Sequence, residues 1–246
     1  MQDKKVHSYL LTIILFGICV LFLTVAYEPN TKFYHISFME HKEPVHPVFE
    51  KMLDYLHRQG SDVNILRCND SVSEVDRFYD FIHQPGLDQN DIVLGTSAEN
   101  SVLVKSHKDI RKKFKLQKTP ILFSGSISKH FSNMKIKQFD NFPNLESSLF
   151  IGRVWAFRLC FSGYLKNKDM EPNIFWSKEL SKHPNLIRVD NHAELFLYAE
   201  GIDKKDIQFD RFKADIHYVQ TNTHPYVLCA EDPEYLYTVV NRWKEQ

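Results

Sequence analysis

Asp190, His192 and Glu194 stand at alternate positions late in the chain. On an extended backbone alternate residues share one face, so two carboxylates and an imidazole would point together, a donor set suited to a divalent cation. The same stretch reads more simply as a helix start, with Asp190 as N-cap and Glu194 as an early-turn acid favoured by the dipole. Other chemistry-bearing patterns are weaker. His107-Lys108-Asp109 spells the His-x-Asp of an iron triad, but in a basic helix residues two apart diverge, which leaves a solvated face. Ser124-Gly125-Ser126 lacks the flanks of a nucleophile elbow. Gly152 and Gly163 belong to no phosphate-cradling glycine loop. No C-x-x-C or His-x-x-x-His pair occurs, which argues against structural zinc. Asn69-Asp70-Ser71 is the only N-x-[S/T] sequon and makes Asn69 a glycan acceptor if the chain is exported.

The elements that must position these groups alternate. Strand patterns at 33–38, 63–66, 91–94 and 120–123 are interleaved with helical patterns at 47–58, 72–82 and 102–114. Such spacing predicts a mainly parallel sheet with helices on both faces. Residues 129–144 are polar and irregular; 148–151 and 155–164 restart the strand–helix pattern, 187–189, 192–198 and 216–220 continue it less regularly, and a helix at 235–243 closes the chain.

Ahead of all this lies an apolar run, Tyr9 to Tyr27, with no charge, no proline and one glycine between Leu10 and Ala26. As a helix at ~1.5 Å per residue it would span about one hydrocarbon core. Lys4 and Lys5 precede it and Glu28 is the first charge after it, so the positive-inside bias predicts a type II signal-anchor: cytosolic tail 1–8, membrane helix 9–27, stem 28–32 and a lumenal domain 33–246. A cleaved signal peptide, with Thr24-Val25-Ala26 at the cleavage positions, is the alternative. The chain has 31 basic and 31 acidic residues, hence no global field that would select nucleic acid. Its exported part holds three cysteines, Cys68, Cys160 and Cys229, too few for a disulfide scaffold.

The order of segments is similar to a known family. Asn90-Asp91-Ile92-Val93-Leu94, Val102-Leu103-Val104, the basic helix ending Lys112-Lys113-Phe114, and Pro120-Ile121-Leu122-Phe123-Ser124 resemble the glycosyltransferase domain of the lysyl hydroxylase (procollagen-lysine dioxygenase) family. Asn144 to Gly152 is similar to that family's "YLNSGGFIG" segment and Asp190 to Phe196 to its acidic stretch before a helix. The resemblance implies a GT-A-like, Rossmann-type mixed sheet flanked by helices, binding a UDP-sugar at the C-terminal strand ends. It also implies Mn²⁺ held by a D-x-x-D carboxylate pair and a histidine near the C-terminus, since a cation stabilises the departing diphosphate.

The departures are as informative. The D-x-x-D motif falls on Ala98-Glu99-Asn100-Ser101, leaving Glu99, one place out of register, as the candidate metal ligand, to be joined by Asp190, His192 or Glu194. The family's uridine-contacting Thr-Lys-Glu turn retains only Lys42 and Glu43, and its glycine-rich aromatic loop is replaced by Cys68-Asn69-Asp70-Ser71. Leu228-Cys229-Ala230-Glu231 stands where the metal-binding histidine belongs, with His224 several residues early. Three functions are therefore expected to compete. A pseudo-glycosyltransferase of the endoplasmic reticulum or Golgi membrane would bind a secretory or collagen-processing partner without a cofactor. An active UDP-sugar transferase would act on a hydroxyl acceptor with Mn²⁺. A one-lobe periplasmic-binding-like domain is the third.

Overall fold

The computed structural model describes residues 31–40, 45–69, 72–127, 142, 144–165, 171–210 and 212–243. The chain divides into two units, Met1–Lys32 and Phe33–Gln246. The run 9–27, on which the anchor rests, lies outside the described residues, and among those residues no helix is long and apolar enough to cross a membrane.

Within 33–246 the order is β1 (Phe33–Glu40), α1 (Pro47–Arg58), β2 (Val63–Cys68), α2 (Glu74–Ile82), β3 (Ile92–Ser97), β4 (Ser101–Leu103), α3 (His107–Leu116) and β5 (Ile121–Ser126). There follow β6 (Asn144–Arg153), α4 (Val154–Cys160), α5 (Pro172–Lys182), β7 (Ile187–Asp190), β8 (Phe196–Tyr198), β9 (Ile207–Phe209), β10 (Ile216–Tyr218), β11 (Val227–Cys229) and α6 (Pro233–Arg242). Six strands form one sheet in the order β2-β1-β3-β6-β5-β7. All four strands expected from the sequence lie in it. The sheet is mixed, because β6 runs antiparallel to both β3 and β5, whereas the β2–β1, β1–β3 and β5–β7 pairs are parallel. A smaller sheet, β4-β11-β8, and a β9–β10 pair complete it.

Period-2 alternation builds a core on each face of the sheet. Leu94, Leu122 and Ile151 join the cluster under α1, α3 and α6, while Val93, Ile121, Phe123 and Phe150 join the cluster under α2, α4 and α5. Caps set where the helices begin. His46 and Pro47 start α1, Ser73 Oγ accepts the Asp76 N–H at 3.2 Å to start α2, and Ser106 Oγ accepts the Asp109 N–H at 3.2 Å to start α3.

Four expectations are corrected. Strand β3 does not stop at 94 but continues through Gly95-Thr96-Ser97, paired with Ile36, Ser37 and Phe38. Val102-Leu103 belongs to β4, because this buried segment finds a sheet partner in β11, and the helix waits for the Ser106 cap. No helix follows Asp190; 196–198 is strand β8. Helix α5 has no counterpart in the predicted elements, because buried Asn173 and Glu179 interrupt its apolar stripe.

Gly95 is required by packing: a Cβ there would enter the Phe150 ring. Gly95→Ala should therefore destabilise by about 2 kcal/mol through overpacking, read as a lower urea midpoint at unchanged m-value.

Candidate functional site

A concavity of about 450 Å³ opens at the C-terminal ends of β1 and β2. Crevices outside the carboxyl ends of strands are where open α/β sheets bind ligands. Glu40 and Cys68 end the two strands, Ser73 and Glu74 begin α2, Pro172 and Asn173 begin α5, and Glu146 to Ser148 come from β6. A register shift places β6 in the cleft. Phe123 pairs with Phe150 but Ser124 pairs with Glu146, so 147–149 bulge from the ladder. Asn173 Oδ1 accepts the Ser147 N–H at 2.7 Å, and Glu146 Oε1 accepts the Ser148 N–H at 3.0 Å.

Carboxylates dominate this cleft. Burial, with repulsion from Glu146, Glu99 and Glu40, pushes Glu74 up to about 7. Burial also raises Glu146 above the usual carboxylate range, against its hydrogen bonds to Ser148 and Asn173. The lining described contains no lysine, arginine, glycine or aromatic residue. An unscreened diphosphate would meet repulsion there, and a base would find no ring to stack on. Burial, followed by Glu74, pushes the Cys68 thiol up to about 12, too high for a nucleophile. Cys68, Cys160 and Cys229 are all buried free thiols.

The residues singled out in the sequence are not gathered into one site. Glu99 occupies the turn after β3, its Oε1 3.5 Å from the Glu40 N–H at the cleft mouth. Ala98 and Ser101, which the resemblance alone would set against D-x-x-D, are 2 % exposed, and Ser101 Oγ accepts the Ser97 N–H. Asp190 ends β7, the strand at the opposite edge of the sheet from β2, and His192 and Glu194 follow it; the three line a second concavity of about 370 Å³ with Gln117 and Arg188. There Asp190 takes the backbone N–H groups of Glu194, Leu195 and Phe196 at 2.9, 2.7 and 2.9 Å. Its carboxylate thus binds the backbone of a turn that leads into a strand; it is not the expected helix N-cap, because no helix begins there. Lys113 and Gln117, each 2.8 Å from Glu194 Oε2, hold that carboxylate below its ordinary range. His192 is exposed. Lys42 and Glu43 lie outside the described residues. Asn69 is exposed and borders the cleft.

No group of three or more His, Cys, Asp or Glu among the described residues is arranged to hold a metal. The residues present do not fit the Mn²⁺ site that the resemblance implies. The turn at 98–101 and the C-terminal strand do meet: Ala230 N–H donates to Asn100 O at 2.9 Å and Cys229 Sγ lies 3.3 Å from Asn100 Oδ1. What meets there is an amide and a thiol that burial pushes up to about 12. His224 is bound to Asp215 at 2.9 Å.

Sequence reading passed over Glu40, Glu74 and Glu146 as site residues. Each sits at a strand end, a helix first turn or a bulge. Only Glu74, after the capping Ser73, carried a local signal, and that signal spoke of helix initiation.

No protein-family model matches the chain, and no curated protein sequence matches it. Among solved structures it is similar to a protein assigned as a glucose-1-phosphate thymidylyltransferase from Bacillus anthracis, crystallised with sucrose. The identity is 10 %, the TM-score 0.41, and the match covers 64 % of this chain and 86 % of the other. It is also similar to A197 from STIV, with 10 % identity, a TM-score of 0.39 and coverage of 63 % and 81 %. The chain's own strand order defines a mixed α/β domain with a central mixed sheet between two helical layers.

Proposed function

We propose that residues 33–246 form a divergent GT-A-like domain, related to the glycosyltransferase domain of lysyl hydroxylases, that has exchanged metal–diphosphate chemistry for binding. In this reading it is a pseudoenzyme, held on the lumenal side of an endoplasmic reticulum or Golgi membrane and presented to a secretory or collagen-processing partner. The observation that carries the proposal is the meeting of the 98–101 turn with the end of β11. Two segments that would each supply a metal ligand come together, and a carboxamide faces a buried thiol. A neutral carboxamide and a protonated thiol bring none of the negative charge that a carboxylate pair would offer a hard, oxygen-preferring cation beside a diphosphate. The acidic cleft supports the same reading, because without a resident cation it repels the anionic donor.

Calorimetry of the 33–246 domain with UDP, with and without Mn²⁺, tests it. The expected result is no heat up to millimolar UDP in either condition. Micromolar affinity that requires Mn²⁺ and disappears in Glu99→Ala would restore the active UDP-sugar transferase, with the cleft carboxylates as its cation site.

Topology is tested separately. In sealed microsomes the full chain should remain membrane-bound with residues 28–246 protected from protease, an expectation that rests on the charge asymmetry around Tyr9–Tyr27. A secreted form beginning near Tyr27 would replace the anchor with a signal peptide.

A further inference from the structure

We propose that His35 of β1 and His107 of α3 form an acid-sensitive latch that fastens the start of α3 to the central sheet. His35 is 0 % exposed, on the sheet face shared with Leu94 and Met39. Its Nε2 lies 2.9 Å from Thr96 Oγ1 and its Nδ1 3.0 Å from His107 Nε2. Ser37 Oγ lies 3.0 Å from Thr96 Oγ1, so four side chains from β1, β3 and α3 form one hydrogen-bonded chain. The imidazoles cross at 90° with centroids 5.0 Å apart, and His107 also packs on Phe33 at 5.1 Å.

Proton counting gives the latch its sensitivity. With both rings neutral, His107 Nε2–H donates to His35 Nδ1 and His35 Nε2–H donates to Thr96; the reversed chain is equally complete. One added proton can be carried at the His107 Nδ1. A second gives both rings N–H at the shared contact, and the bond becomes donor against donor. Even the first added charge is disfavoured, because His107 is the first residue of α3, where the helix dipole is already positive. Among the described residues the rings contact Phe33 from β1, Thr96 from β3 and each other, Ser37 lies beyond Thr96, and Arg111, one turn on from His107 in α3, is half-buried. Of the charged residues nearby on α3, Lys108 and Asp109 are exposed, and Asp109 is engaged by Ser106 at 2.6 Å. No carboxylate contacts either ring among the described residues. Burial accordingly holds His107 down to about 4, and burial followed by His107 holds His35 well below the usual histidine value.

The sign follows. Both folded pKa values are depressed, so the latch is intact above the ordinary value of 6.5 and weakens as pH falls towards about 4, where the unfolded chain binds protons that the folded one refuses. The test compares the wild-type domain with His107→Gln, whose amide can still donate to His35 but does not titrate. Between pH 6 and 4.5 the unfolding constant of the wild type should rise about tenfold per pH unit more than that of the variant, one proton's worth. Contributions shared by both proteins, such as that of Glu74, cancel in the comparison. Amide protection at 110–116 should fall with acid in the wild type before that of 74–82, and not in His107→Gln. Imidazole NMR of the wild type, which needs no variant, should show both rings neutral down to about pH 5 in the folded protein. Titration of either ring near 6.5 in the folded state, or equal acid sensitivity of the two proteins, would overturn the latch.

Discussion

Replacing Asp190 by alanine is expected to cost about 4 kcal/mol of stability, among the largest single effects in this domain. Its carboxylate accepts three backbone N–H groups, and Leu195 and Phe196, two of the residues that donate them, are 0 % and 1 % exposed. Those donors cannot turn to water when the carboxylate is removed, so each carries roughly 1–3 kcal/mol of unsatisfied desolvation. Burial alone makes Asp190 an expensive charge, and it raises the carboxyl above its ordinary value despite the three bonds. The bonds are nonetheless what closes the turn from β7 into β8 and so joins the six-stranded sheet to the smaller one. Asp190→Asn keeps one carbonyl acceptor and should recover about half of the loss. Urea unfolding of the three proteins at one pH measures this. If Asp190 were instead a ligand with no structural role, alanine would leave the midpoint unchanged.

Replacing Glu74 by glutamine should act in the opposite direction, and only at higher pH. The carboxyl is pushed from an ordinary 4.5 up to about 7, first by burial and then by Glu146, Glu99 and Glu40. A raised acid favours folding fully below about 4.5, and that contribution is lost as pH rises through about 7. The shift corresponds to about 3 kcal/mol of strain in the ionised form. Glu74→Gln should accordingly stabilise the domain by up to about 3 kcal/mol at pH 8 and by almost nothing at pH 4. Position N1 of α2 favours a negative charge and reduces the gain slightly. Denaturation at the two pH values separates this from a general packing effect, which would be the same at both. A basic ligand entering the cleft would relieve the same repulsion, so it should stabilise the wild type at pH 8 more than Glu74→Gln.

Helix and strand existence was legible wherever a cap or a period was unbroken. Pro47–Arg58 was readable to the residue from its proline start and apolar stripe, and the strands at 33, 63, 92 and 121 from their compact apolar runs. Failures came where tertiary pairing overrode the local pattern. Ser101–Leu103 is a strand because β11 is there to receive it, and 196–198 is a strand because β11 offers its other edge. Helix α5 escaped notice because Asn173 and Glu179 face inward to hold Ser147 and to pair with Lys182 and His183.

Chain order by itself determined that strands and helices alternate and that residues 98–101 hold a single carboxylate, Glu99. Each of these depends on residues close in sequence. Which carboxylates act on Glu74 was decided by tertiary structure alone. Glu40, Glu74, Glu99 and Glu146 come from β1, α2, a turn and a bulged strand, and only the β2-β1-β3-β6 order and the slip at Phe123 bring their charges together. The same holds for His35 and His107, separated by 72 positions and joined at 3.0 Å. Coulomb and hydrogen-bond energies depend on distance through space, and that distance is set by strand pairing, which no local pattern encodes.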